Sequence, residues 1–142
     1  AHMLDHNGKG RIIGLDSTLA NVDEKATLHE RIEFMEGDAK ELVGEIRAKA
    51  ARAQKVLVIE DSSHEYENTL QLLRLYGDLV DVGSYFIVED SICHHGLDVG
   101  PEPGPYEAIT TFIHENDSFE IDRSREDFLI TWNPCGFLKK IR

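Results

Sequence analysis

The chain has 142 residues, 41% hydrophobic and 30% charged, with a net charge of −12 at neutral pH. That is the composition of a single globular domain with a core of its own, and the acidity argues against duplex nucleic acid and anionic membrane surfaces, both of which need a basic footprint. No apolar run approaches the roughly 20 residues of a membrane span, no stretch resembles a signal peptide, and Cys93 and Cys135 make no disulfide framework, so a cytoplasmic, reducing compartment is expected.

In chain order, Ala1 to Asn7 reads as the end of a helix running into the Asn7-Gly8-Lys9-Gly10 turn. Arg11 to Leu15 is a short strand ending in Asp16, followed by a loop with helical potential from Asp23 to His29. Arg31 to Met35 is the next strand, stopped by Glu36-Gly37-Asp38. Asp38 is a good N-cap with Glu41 three residues on. The helix it opens carries Leu42, Val43, Ile46 and Ala50 on one face and runs to about Ala53. Lys55 to Glu60 is an apolar strand, Glu65 to Tyr76 a helix with Tyr66, Leu70 and Leu73 on one face, and Tyr85 to Val88 a second apolar strand. Both runs read as strands buried on both faces.

Ser91 to Gly104 is a loop with three glycines and two prolines, and a long loop at the carboxyl end of a strand more often binds than merely connects. Pro105 suits the first position of a helix with Tyr106, Ile109 and Ile113 inside, ending near Asn116. Phe119 to Asp122, Phe128 to Trp132 and Phe137 to Ile141 read as antiparallel strands, the last two joined by the Asn133-Pro-Cys-Gly136 turn. Trp132, Tyr106 and the phenylalanines are expected in the core. Strands alternating with helices give a mostly parallel α/β sheet with right-handed crossovers and an antiparallel C-terminal hairpin.

The chemistry lies where the two apolar runs end in acid. Val56-Leu-Val-Ile-Glu-Asp61 is followed three residues on by His64, and Tyr85-Phe-Ile-Val-Glu-Asp90 echoes it. Carboxylates at the carboxyl ends of parallel strands face the crevice in which such sheets bind ligands. Neighbouring strand ends lie about 5 Å apart, so Asp61, Glu89 and Asp90 can share one hard cation such as Mg²⁺, which takes oxygen ligands and keeps waters that a substrate displaces. His64 is the general-base candidate, because its pKa lies near working pH. Asp16 stands where an acid binds ribose hydroxyls in nucleotide-binding folds. Asp38 stands where an acid meets an adenine amino group or caps its helix, and Glu60 is grouped with these two as a cofactor contact. Cys93-His94-His95 lacks the second Cys/His pair of a zinc site; His94 and His95 are read as substrate-loop residues.

Val-Ile-Glu-Asp-Ser-Ser-His-Glu-Tyr followed by Gly-Ser-Tyr-Phe-Ile-Val-Glu-Asp resembles the cephalosporin hydroxylase and rhamnosyl O-methyltransferase family. These are class I S-adenosylmethionine-dependent methyltransferases, distantly similar to the catechol O-methyltransferases. The resemblance implies a Rossmann-like methyltransferase sheet. It puts Asp61, Glu89 and Asp90 on the family's metal ligands and His64 on its basic residue. Ile-Gly-Leu-Asp16 falls on the ribose motif and Glu-Gly-Asp38 on the one beside adenine. It also implies a first strand with a glycine-rich loop that is not in this sequence, so the chain is expected to be a partial domain with that strand missing. The function expected is Mg²⁺-assisted methyl transfer from S-adenosylmethionine to a small-molecule hydroxyl acceptor, a sugar or a secondary metabolite. A catalytically inactive fragment, a receiver-like or assembly module, and a hydroxylase are the alternatives. Oligomeric state is left open, with a homo-oligomer among the options.

Overall fold

The structure, a computed structural model, describes residues 2–127 and 130–142. The helices are α1 (His2–Asn7), α2 (Glu24–Thr27), α3 (Ala39–Ala50), α4 (Tyr66–Tyr76) and α5 (Pro105–Glu115). The strands are β1 (Ile12–Asp16), β2 (Ile32–Glu36), β3 (Val58–Glu60), β4 (Tyr85–Val88), β5 (Phe119–Ile121) and β6 (Phe137–Lys140). The chain divides into two compact units, residues 1–44 and 45–142.

In the first unit β1 and β2 pair in parallel, from Ile12 opposite Ile32 to Asp16 opposite Glu36. The Phe34 ring packs so closely on Gly14 that an added Cβ there would lie 2.8 Å from it. Asp38 caps α3 as its position predicts, Oδ1 accepting from the Lys40 amide at 2.8 Å.

The second unit holds a sheet in the order β3-β4-β6-β5. β3 and β4 are parallel, whereas β6 runs antiparallel to both β4 and β5. The parallel core with an antiparallel C-terminal part is thus as the sequence predicts. The packing follows from apolar spacing: Leu70, Leu73 and Tyr76 of α4 and Ala108, Ile109 and Phe112 of α5 are all buried. Phe86, Val88 and Leu138 lie at 0% exposure. Arg74 closes the outer side of the α4–α5 pair with a bidentate bond to Glu115, 2.9 and 2.6 Å.

Four local expectations are corrected. β3 begins at Val58 rather than Lys55 because the Val56 amide donates to Asp81 Oδ2 at 2.6 Å instead of entering a ladder. The run is not buried on both faces: at the edge of its sheet Ile59 is 55% exposed, and Leu57, just before the strand, 49%. Trp132 is 61% exposed rather than in the core. Of the strand expected at Phe128 to Trp132, the first two residues lie outside the described ones, and Ile130 to Trp132 are not in a strand.

Leu138 sits between two antiparallel neighbours at the centre of this packing. Leu138→Ala should cost about 2–5 kcal/mol. Val82→Ala, at a side chain already 60% exposed, should stay within about 0.5 kcal/mol. Urea denaturation midpoints of the two variants measure the difference.

Candidate metal centre

The register of β3 on β4 builds the site. Glu60 lies opposite Val88, so Asp61 leaves β3, and Glu89 and Asp90 leave β4, at the same end of the sheet. The Glu89 amide still donates to the Glu60 carbonyl at 2.9 Å, which carries the pairing one step past the strands. The chain then turns sharply on both sides. His64 and Asp90 have φ of 57° and 52°, a left-handed conformation that costs non-glycine residues energy and clusters at functional sites.

These turns bring Asp61, His64 and Asp90 together, one ligand atom from each lying within 4.8 Å of the others. His64 Nε2 is 3.2 Å from Asp61 Oδ1 and 3.5 Å from Asp90 Oδ2. Both carboxylates remain open to solvent, 59% and 41% exposed. Glu89 is not a member of this group, yet it feels its charge. Burial first, and then the negative charges of Asp61 and Asp90, push its carboxyl above the usual range.

Glu60, one residue earlier, points the other way. It is 4% exposed. Its Oε1 accepts from the Ser62 amide at 3.2 Å and from the Ser62 hydroxyl. Thr69 Oγ1 reaches its Oε2 at 3.4 Å, and Asn68 Nδ2 donates to Ser62 Oγ at 2.7 Å. Alternation along the strand sends Glu60 inward, where it fastens the 60–64 turn to the start of α4. In the first unit Asp16 is exposed at the end of β1, its Oδ1 accepting from the Thr18 amide at 3.1 Å. Asp38 is 46% exposed beside Lys40.

The 91–104 loop is tied down rather than loose. Its Ser91 is fully buried, with Oγ donating to the Pro134 carbonyl at 2.8 Å. His94 reaches the Gly100 carbonyl through Nε2 at 3.1 Å and Asp98 through Nδ1 at 3.1 Å. The Gly100 bond chiefly, with Glu102 and Asp98 adding to it, raises the His94 pKa above its ordinary value. His95 stacks on Tyr106, ring centroids 3.7 Å apart, and pairs with Glu107 at 2.5 Å. Glu107 also accepts from the Gly104 amide at 2.8 Å, so it caps α5 and orients His95 at once. Burial, with the charge of Asp90 adding to it, pushes the Cys93 thiol up. His95, Ile92, Leu97 and Pro134 border an open cleft of about 550 Å³, and His94 stands outside it. Sequence reasoning misses Ser62, Asn68, Glu107 and Asn133 as members of this neighbourhood. Of these only Glu107 carried a signal, as the third helical residue after Gly104 at a helix start.

The family model described as Rhamnosyl O-methyltransferase/CmcI matches residues 1–141. Rhamnosyl O-methyltransferase of Mycobacterium tuberculosis (strain ATCC 25618 / H37Rv) is 33% identical over 135 residues, covering 90% of this chain and 55% of that protein. The protein of the same name from Mycobacterium leprae (strain TN) is 36% identical over 96 residues, 65% of this chain and 42% of that one. The chain thus spans about half the length of the curated relatives it matches. A solved structure described as "cmcI-D160 Mg-SAM" superposes with a TM-score of 0.62 at 19% identity, over 93% of this chain and 53% of that one. At that identity it shows the fold.

Because folding raises the His94 pKa, the bonds that hold the loop are strongest with the imidazolium. They are present in full below the ordinary histidine value near 6.5 and are lost as pH rises through the raised one. Amide exchange in residues 91–104, corrected for its intrinsic pH dependence, should therefore be slower at pH 5.5 than at pH 8.5. His94→Gln should remove the difference.

Proposed function

The chain belongs to the rhamnosyl O-methyltransferase/CmcI family, and from that premise we propose that it carries the metal and proton-transfer part of an S-adenosylmethionine-dependent O-methyltransferase. The observation that carries this reading is the meeting of Asp61, His64 and Asp90 within 4.8 Å, beside a Glu89 carboxyl raised first by burial and then by the charges of Asp61 and Asp90. Accumulated negative oxygen that raises a neighbouring carboxyl is the environment a hard divalent cation relieves, and carboxylate oxygens are the donors such a cation takes. The residues therefore fit Mg²⁺, with Asp61 and Asp90 as its holders and Glu89 beside them.

A bound Mg²⁺ would lower the pKa of an acceptor hydroxyl that meets it, and S-adenosylmethionine would supply the methyl group. The rest is work for this chain's own side chains. His64 Nε2 faces the same point as the two carboxylates, so it is the group that takes the hydroxyl proton. Asp16 and Asp38, exposed at the ends of β1 and β2, are the proposed ribose and adenine contacts. Glu60 is reassigned from cofactor contact to anchor, since burial and its bonds to Ser62 and Thr69 turn it inward. The small-molecule acceptor would lie in the cleft beside Ile92 and Pro134, with His95 on its border. That cleft joins apolar side chains to the Arg123–Glu126 pair, a lining suited to an uncharged hydroxylated ligand with an apolar face. The match of residues 1–141 to a methyltransferase family sets the receiver-like reading aside.

Transfer of a labelled methyl group from S-adenosylmethionine to a panel of hydroxylated acceptors tests the reading. Activity should require Mg²⁺, and Asp61→Ala should abolish it. His64→Ala should lower turnover roughly 10²–10⁴-fold while leaving cation affinity nearly unchanged. Turnover indifferent to both substitutions would overturn the assignment.

A further inference from the structure

Asp90 owes its pose to a segment more than forty residues away. Its φ of 52° is one that a non-glycine residue keeps only when its surroundings fix it. The Asp90 amide donates to Asn133 Oδ1 at 3.0 Å. Around that bond the Trp132–Gly136 segment meets the 88–92 segment almost residue for residue. The Val88 amide donates to the Gly136 carbonyl at 2.9 Å and the Ile92 amide to the Trp132 carbonyl at 3.0 Å. The buried Ser91 hydroxyl reaches the Pro134 carbonyl at 2.8 Å. The approach is so close that a Cβ on Gly136 would lie 2.3 Å from the Val88 carbonyl oxygen. Asn133 is itself held, its amide donating to Thr131 Oγ1 at 3.1 Å and its carbonyl accepting from the Gly136 amide at 2.9 Å.

We propose that the Trp132–Gly136 turn is a strap that sets the Asp90 carboxylate in its cation-holding pose, with Asn133 as the positioning residue. The proposal rests on the reading of Asp90 as a cation holder. Asn133 acts through the backbone: by occupying the Asp90 amide it fixes the left-handed turn, and that turn aims the carboxylate at Asp61 and His64. Pro134 of this turn and Thr131 just before it also line the open cleft. The strap therefore gives the cation-holding side and the proposed acceptor side a common wall.

The test uses Mn²⁺ as the probe on the 142-residue chain, with two readouts that do not depend on activity. Asn133→Leu removes the acceptor at similar size. It should weaken Mn²⁺ binding, followed by titration calorimetry, about 10–100-fold, as loss of a partner that orients a ligand does. It should also abolish the exchange protection of the Asp90 amide while leaving the amides of Phe86 and Leu138 protected. Asn133→Asp keeps an oxygen for the Asp90 amide and should restore that protection, which added charge alone does not supply. Asn133→Ala serves in the same comparison if the leucine variant does not fold. Wild-type Mn²⁺ affinity and wild-type Asp90 protection in the Asn133→Leu or Asn133→Ala variant would overturn the proposal and leave the cation reading standing. No Mn²⁺ binding by the wild-type chain would overturn the cation reading, and this proposal with it.

Discussion

Like charge at the ends of two parallel strands is the constraint on which the rest of this site depends. Parallel pairing of Glu60 with Val88 leaves no freedom about what comes next: the acids after each strand emerge side by side. Two carboxylates at about 4 Å repel by roughly 4 kcal/mol at an effective dielectric of 20. This chain adds to the difficulty by being strongly acidic throughout. The structure answers it in part by placing His64 between Asp61 and Asp90, and in part by disfavouring the charge on Glu89. Neither removes the charge of the two open carboxylates. A divalent cation is the economical complement, and it turns a repulsive arrangement into a reason for one.

Holding that arrangement takes a second layer that has no part in the chemistry. Glu60 and Asp61 are adjacent in sequence and opposite in role. One is buried and bonded to Ser62 and Thr69; the other is open. The inward acid anchors the turn that presents the outward one. On the β4 side Asn133 does the equivalent for Asp90. Glu107 does it for His95 while capping α5. In each case a backbone amide or a buried hydroxyl satisfies a polar atom that would otherwise be costly to leave unpaired, and the same bond orients a residue of the site.

How much of this was legible in the sequence depends on the range of the interaction. The apolar runs ending in acid gave the two site strands and their common end, and the three-residue step from Asp61 to His64 put both on one turn. Asp38 announced α3 by its capping position. What escaped was set by contacts between distant residues. Asp81 takes the Val56 amide and shortens β3, and nothing within Lys55 to Glu60 records that. Asn133 reads as an ordinary turn residue until the fold lays it against Asp90. Trp132 looks like core by composition. Its backbone is committed to Ile92 while its side chain is left 61% exposed. The burial of Glu60 was legible in principle, because alternation along a strand assigns successive residues to opposite faces.

The donor set also bears on which chemistry within the family the site can support. A non-haem iron oxygenase centre uses two histidines and one carboxylate, whereas Mg²⁺ favours oxygen donors. Here the group is one histidine with two carboxylates, and Glu89 adds a third acid alongside. The two nearest histidines in sequence are committed elsewhere, His94 to Gly100 and Asp98 and His95 to Glu107 and the Tyr106 ring. Recruiting either would mean breaking charge-assisted bonds that hold the loop, and each such bond is worth more than a neutral one. The balance of donors therefore suits the hard cation that the proposed function calls for.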